Sequence, residues 1–234
     1  MPLECKPVYL IAGGRRSRQR RGPDPLIREA LLLAGIKSPT IAYVGAASGD
    51  NALFRIMISR QLAKAGAGAV RLAPLCGARA DPAKAARIIE GSRIVFISGG
   101  DVEQGMRILE STGMDGFLRD QHREGKLFFG VSAGSIMLAK KWVRWNDTDE
   151  GSGPELFPCL GIAQVYCDTH DEEDNWEELR ALARLLPAGS EAYGIPSGAA
   201  LVAYSDGDPG AAGGEVYRFK RTGRAVIRIQ SLLP

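Results

Sequence analysis

The chain alternates between short apolar runs and longer segments with helical periodicity. Five apolar runs are each followed by a helical pattern; they are Val8–Gly14, Thr40–Ser48, Ala69–Leu75, Ser92–Asp101 and Lys126–Ser132. Nearly continuous apolar strands are typical of a parallel sheet that helices cover on both faces. The pattern therefore predicts a doubly wound, mostly parallel α/β sheet flanked by helices.

Residues at the ends of the periodic segments predict several helix boundaries. Pro25–Gly35 starts with proline and ends with glycine, and Asp81 is a good N-cap for the helix that follows it. A longer helical pattern runs from about Val102 to Glu124, and another helix follows Ser132.

The pattern changes beyond Gly161. A strand over Gly161–His170 and a helix over Asn175–Leu186 precede three β-rich runs separated by turns rich in glycine and aspartate. These runs predict a small antiparallel C-terminal extension of the same domain. Because no repeat or low-complexity linker interrupts the chain, we expect a single α/β domain over residues 1–234.

Composition narrows the class of protein. Of the 234 residues 45% are hydrophobic and 24% are charged, as in ordinary globular proteins, and the net charge is only +3. No apolar run approaches the roughly 20 residues that span a bilayer, and the four cysteines lack CxxC spacing. We therefore expect a cytoplasmic protein with reduced thiols, no signal peptide, and no nucleic-acid or membrane partner. A homodimer is a candidate assembly that the sequence does not establish.

The segment Gly130–Gly134 has the G-x-S-x-G pattern of a nucleophile elbow. It lies where an apolar strand gives way to a helix, which is the context that the motif requires. Side chains two positions before and after Ser132 would collide with such a turn, and glycine occupies both positions. The pattern predicts that Ser132 is a nucleophile, whereas a tight turn alone is the plainer interpretation.

A serine nucleophile needs a base, and the chain has two histidines. His122 lies in a polar helical stretch, which favours a solvated surface histidine. His170 follows an apolar strand at the same expected edge as Ser132, so it is the better candidate, although a surface histidine in an acidic loop is the alternative. An α/β-hydrolase places its acid between the serine and a late histidine, and this chain does not.

Gly99 and Gly100 end the fourth predicted strand. Their amides are placed to donate to an oxyanion together with the Ala133 N–H, and a plain strand-to-helix turn explains glycines equally well.

Three motifs in this order, Phe96–Asp101, Gly130–Ser135 and Asp168–His170, resemble the aspartyl dipeptidase (peptidase E) and cyanophycinase family of serine peptidases. Tyr43–Ser48 and Gly194–Tyr204 fit the same family. The resemblance implies a class I glutamine-amidotransferase-like fold and covers roughly residues 8–204. It also implies the site roles: Ser132 as nucleophile, His170 as base, Gly100 and Ala133 as oxyanion donors, and Gly99, Asp101 and Gln104 beside the substrate.

One position departs from the family pattern. The family has an acid that orients the histidine where this chain has Ser197. A serine hydroxyl can fix the tautomer of His170 but cannot stabilise an imidazolium by charge. Three alternatives follow: a slower Ser132–His170–Ser197 triad, substitution by a nearby acid (Glu191, Asp168 or Asp171), or loss of the family reaction.

Two charged segments have both a functional and a plain interpretation. The run Arg15–Arg21 is either a solvated loop or a basic rim that attracts an acidic peptide. The acids after His170 are best explained as a solvated loop and the negative start of a helix, because one histidine and Cys167 do not complete a metal site.

We therefore expect a serine hydrolase that cleaves a small peptide or amide bond, with no metal and no cofactor. The alternative is a catalytically weak member that binds such a ligand without efficient turnover. A glutamine amidotransferase is disfavoured because that chemistry in this fold normally uses cysteine at the elbow.

Overall fold

The computed structural model describes residues 5–13, 22–145 and 153–234. Its largest sheet has seven strands in the order β11-β10-β1-β5-β4-β2-β3. The strands of this sheet are β1 (Val8–Ile11), β2 (Thr40–Val44), β3 (Ala69–Ala73), β4 (Ile94–Ile97), β5 (Leu127–Val131), β10 (Ala200–Ala203) and β11 (Gly210–Ala212). The first five are mutually parallel, and β10 and β11 add antiparallel strands at one edge. The predicted doubly wound, mostly parallel sheet with an antiparallel C-terminal extension is confirmed.

Helices cover both faces of this sheet. They are α1 (Pro25–Leu32), α2 (Ala52–Ala65), α3 (Pro82–Glu90), α4 (Val102–Ser111), α5 (Met114–Arg123) and α6 (Ala133–Leu138). A further helix, α7 (Glu177–Leu185), lies elsewhere in the fold and does not belong to this set. Alternate residues of each strand point to opposite faces. Tyr9 and Ile11 of β1 therefore join the core under α1 and α2, whereas Val8 and Leu10 join the core under the helices α3 to α6.

The chain after α6 builds two smaller sheets. β6 (Lys141–Trp145) and β7 (Pro154–Pro158) form an antiparallel pair, and a four-stranded sheet has the order β13-β12-β9-β8. Its strands are β8 (Cys167–Thr169), β9 (Glu191–Ile195), β12 (Val216–Thr222) and β13 (Ala225–Leu232). The sequence pattern did not predict β6, β7, β9 or β11.

The helical pattern from Val102 to Glu124 forms two helices rather than one. Thr112 and Gly113 separate α4 from α5, and Gly113 has a φ of 69°, which is a left-handed conformation that favours glycine. Asp81 does cap α3, since its side chain accepts the N–H of Lys84 at 2.8 Å.

His122 is buried rather than solvated, so the prediction of a surface histidine is wrong. It is 9% exposed, its Nε2 lies 3.0 Å from the Lys6 carbonyl oxygen, and its ring packs edge-on against Phe128. Burial lowers its pKa, which keeps the ring neutral at physiological pH. His122 is therefore a structural histidine of the core.

Cys5, Cys76, Cys159 and Cys167 are free thiols. Within the described ranges, the structure contains no helix both long and apolar enough to cross a lipid bilayer.

Candidate active site

Ser132 stands on the turn between β5 and α6, and its backbone is strained. Its φ of 55° lies in the left-handed region, where a residue with a side chain is unfavourable. The Ser132 N–H donates to the Ile11 carbonyl oxygen at 2.9 Å, which ties the turn to the carboxyl end of β1. Strain of this kind persists where the surrounding structure enforces it, and it is common at functional sites.

The flanking glycines allow this turn because the backbone approaches itself closely there. A Cβ at Gly130 would lie 2.5 Å from the Gly134 carbonyl group, and a Cβ at Gly134 would lie 2.1 Å from the Ile97 carbonyl oxygen. Neither contact is possible for a real side chain. The prediction that these positions cannot carry side chains is confirmed.

His170 faces Ser132 across the carboxyl edge of the sheet. The Ser132 Oγ and the His170 Nε2 are 2.7 Å apart, which is hydrogen-bond distance. His170 directly follows β8, its φ of 47° is also left-handed, and its N–H donates to the Ile195 carbonyl oxygen at 2.9 Å. Both members of the pair are therefore held in uncommon backbone conformations by neighbouring strands.

Gly99 and Gly100 lie beside the serine, at the end of β4. A Cβ at Gly99 would be 3.2 Å from the Ser132 Cβ. Gly100 has a φ of 145°, and a Cβ there would be 2.1 Å from the Ala47 carbonyl oxygen. Within the described part of the chain, the N–H groups of Gly100 and Ala133 have no hydrogen-bond partner. Two unpartnered amides therefore lie on the segments that flank Ser132.

Asp101 and Gln104 begin α4 at the same edge. The Asp101 carboxylate accepts the Gln104 N–H at 2.8 Å, so it caps the helix, and both residues are exposed. The Gln104 amide lies near Gly49 in the loop after β2, where a Cβ would be 3.3 Å from its Nε2. The basic run Arg15–Arg21 lies outside the described residues.

Ser197 lies two residues after β9, in a turn whose Gly198 N–H donates to the Gly13 carbonyl oxygen at 2.9 Å. The Ser197 N–H donates to the Glu172 Oε1 at 3.0 Å. Burial alone would raise the pKa of the Glu172 carboxyl, but hydrogen bonds from the Ser197 backbone and hydroxyl, together with the charge of His170, lower it on balance. Glu172 is thus ionised and next to Ser197, a contact that the sequence analysis missed.

The three acids considered as substitutes lie in different surroundings. Glu191 lies at the opposite end of β9 from His170 and pairs with Arg218 at 2.6 Å and Lys220 at 3.7 Å. Asp171 lies ahead of α7, its Oδ2 is shielded from solvent without a hydrogen-bond partner among the described residues, and burial raises the pKa of its carboxyl. Asp168 accepts the N–H of Thr169 at 2.7 Å and is 3% exposed.

Burial raises the pKa of Asp168 to about 7, and the charges of Glu178 and Asp171 add to the shift. Because this pKa is raised above its value in the unfolded chain, the stability it contributes is complete below about pH 4 and is lost as pH rises to about 7. Asp168 is therefore a poor counter-ion at neutral pH.

Asp168→Asn should remove this pH dependence. We expect its free energy of unfolding, relative to wild type, to rise by about 2–3 kcal/mol between pH 5 and pH 8, at about 1.4 kcal/mol for each unit of pKa shift. Urea unfolding followed by tryptophan fluorescence measures the difference. The exposed Asp206→Asn is the control with the same chemical change. A constant difference between the two pH values would contradict the assignment.

Two clefts of about 270 and 440 Å³ lie at the opposite, amino-terminal edge of the sheet. Both are lined by Cys5, Lys6, Tyr204 and Ser205, and neither includes Ser132 or His170.

A model of peptidase family S51 matches residues 9–207. Because this match spans most of the chain, the chain belongs to peptidase family S51.

Two solved structures have the same fold. A peptidase from an acI-B1 Actinobacterium superposes with a TM-score of 0.72 at 18% identity, covering 100% of this chain and 99% of that one. A protein from Listeria monocytogenes EGD-e, described as a "Putative Peptidase E Protein", superposes with a TM-score of 0.61 at 13% identity and covers 88% of this chain and 98% of that one. At these identities the likeness concerns the fold.

A curated protein is similar over a shorter stretch. The Pyridoxal 5'-phosphate synthase subunit PdxT of Hyperthermus butylicus is 36% identical over 89 residues, which is 38% of this chain. The matched segment spans 42% of that relative's length.

Proposed function

We propose that the chain is a serine peptidase that cleaves a small peptide or amide bond through an acyl-enzyme. The observation that carries the proposal is the 2.7 Å contact between the Ser132 Oγ and the His170 Nε2 on a strained elbow. A nucleophile within hydrogen-bond distance of a base is the arrangement that activates a serine hydroxyl.

The reaction follows from this geometry. The Ser132 Oγ attacks the scissile carbonyl carbon while His170 takes its proton at Nε2, and a tetrahedral intermediate forms. The N–H groups of Gly100 and Ala133 donate to the oxyanion of that intermediate. His170 then returns the proton to the leaving amine, the C–N bond breaks, and water hydrolyses the acyl-enzyme by the same route in reverse.

The substrate binds on the side of Ser132 where α4 begins. Asp101 and Gln104 are exposed there and are the proposed substrate contacts, together with the backbone of Gly99. The peptidase names of the two structural neighbours agree with a peptide substrate, and the fold supports it.

A second candidate is a family member that binds a peptide or amide ligand without efficient turnover. The serine at position 197, where the family resemblance implies an acid, favours this candidate, because a neutral group cannot stabilise an imidazolium by charge.

Labelling with a fluorophosphonate separates the two. We expect the reagent to modify Ser132, as located by mass spectrometry of the labelled peptide, and Ser132→Ala to abolish the modification. Ser205→Ala, an exposed serine at the opposite edge of the sheet, should label as wild type does. A wild-type protein that stays unmodified while a known serine peptidase reacts would exclude the nucleophile and leave the binding role.

A further inference from the structure

The Ser132–His170–Ser197 arrangement by itself lacks a negative charge, and Glu172 lies where one is needed. It follows His170 by two residues, and its Oε1 accepts the Ser197 N–H at 3.0 Å. Its other oxygen, Oε2, is shielded from solvent and has no hydrogen-bond partner among the described residues. A shielded, ionised oxygen of this kind is stabilised by a nearby positive charge.

The loop that carries His170 and Glu172 is held at both ends. At its start the His170 N–H donates to the Ile195 carbonyl oxygen at 2.9 Å. At its end the indole of Trp176 lies against Gly194, where a Cβ would come within 2.8 Å of the ring. Both anchors lie on β9, which also leads into Ser197. The carboxylate is therefore placed against Ser197 by the same strand that positions the histidine.

We propose that Glu172 supplies, through the hydroxyl of Ser197, the negative charge that stabilises protonated His170. For the His170 Nε2 to accept the proton of Ser132, Nδ1 must carry the other proton. The Ser197 oxygen accepts from Nδ1–H while its hydroxyl donates to the Glu172 carboxylate. No proton moves to Glu172. Ser197 and Glu172 together take the place of one triad acid, and Glu172 is a positioning residue. This inference rests on the proposed function.

The Asp168 and Asp171 side chains also each have a shielded oxygen without a hydrogen-bond partner among the described residues, so the hydrogen bond from the Ser197 N–H is what distinguishes Glu172. Burial and the charge of Asp174 raise the pKa of Asp171. Burial and Asp171 likewise raise the pKa of Glu178. The buried Asp168 has a pKa near 7. Among these carboxyls, Glu172 is the one whose pKa is lowered, so it carries the most complete charge at neutral pH.

Glu172→Gln tests the inference, with Glu173→Gln as the matched control. Glu173 is the next residue, is exposed, and loses the same charge on substitution. We expect Glu172→Gln to lower the plateau rate of fluorophosphonate labelling by about 10-fold to 100-fold, less than the roughly 10⁴-fold effect of neutralising an acid that contacts the histidine directly. We also expect the low-pH midpoint of the labelling rate to move to lower pH, because the protonated base is less stable without the carboxylate.

The low-pH midpoint of the labelling rate separates the loss of the Glu172 charge from a structural effect of the substitution. A variant that only loosens the loop lowers the rate without moving the midpoint, and Glu172→Asp should retain the wild-type midpoint. If Glu172→Gln and Glu173→Gln have the same midpoint, the inference is wrong, although labelled Ser132 would still support the proposed function. If wild type is not labelled at all, the proposed function fails first.

A second pair of variants tests the coupling between positions 172 and 197. Ser197→Glu alone places two carboxylates together, so we expect little gain or a loss. In the Glu172→Gln background the same substitution supplies the missing charge and should restore labelling to within about 10-fold of wild type. Coupled sites give such non-additive effects. Equal effects of Ser197→Glu in both backgrounds would overturn the proposal.

Discussion

Ser132→Ala and His170→Ala are each expected to lower the hydrolysis of p-nitrophenyl acetate by at least about 10³-fold, and the double variant should lose little more. In the proposed mechanism Ser132 and His170, whose Oγ and Nε2 atoms are 2.7 Å apart, act as one unit. Without the base the hydroxyl is a weak nucleophile, and without the hydroxyl the base has nothing to activate. This activated ester reports acyl transfer without requiring the natural substrate.

The measurement is the steady-state rate of p-nitrophenol release, together with the initial burst that an accumulating acyl-enzyme produces. Ser205→Ala provides a matched loss of one exposed hydroxyl. It should keep the wild-type rate and burst. Additive losses, in which the double variant shows the product of the two single effects, would mean that the two residues act independently and would contradict the proposed mechanism.

The sequence predicted the contact between Ser132 and His170 because each follows from a local pattern. Ser132 lies in a five-residue motif between a strand and a helix, and His170 follows an apolar run. The carboxyl ends of parallel strands meet at one edge, so the sheet brings such positions together. The glycines were predictable for the same reason, since the sharp turn at Ser132 excludes side chains at Gly130 and Gly134.

Glu172 was not predictable in this way. Its partner Ser197 lies 25 residues further along the chain. Their meeting depends on β9, which pairs parallel with β8 so that Thr169 faces Ile195. The short β9 segment contains a glycine and was not predicted as a strand. The acids after His170 were therefore interpreted as a solvated loop and a helix start, which describes the exposed Glu173 and Asp174 but not Glu172.

His122 illustrates a different error. Its neighbours Arg123 and Glu124 are charged and exposed, and they made the segment look solvated. The helical period places His122 one turn after the buried Leu118, on the face of α5 that packs against the sheet. Reading the face of the helix rather than the polarity of the adjacent residues would have predicted the buried position.

Gly134→Ala is expected to destabilise the protein by at least about 2 kcal/mol, although the same substitution inside an unobstructed helix stabilises by about 0.5–1 kcal/mol. The added Cβ would lie 2.1 Å from the Ile97 carbonyl oxygen and 2.9 Å from that of Ser98. Both atoms belong to backbone at the end of β4, which cannot move without disturbing the sheet. Relief of the clash would shift α6 and with it Ser132.

The helix α5 contains a control for this substitution. A Cβ added at Gly116 would have no atom within 4 Å, so Gly116→Ala should raise the free energy of unfolding by the ordinary helix-propensity gain. Urea unfolding of both variants gives the sign directly. Opposite signs of the two changes in the free energy of unfolding would show that α6 and β4 are in close contact at the elbow. This contact would then enforce the strained backbone of Ser132. A gain in stability at Gly134 would mean that this contact yields at little cost, and the strain at the proposed nucleophile would then need another source.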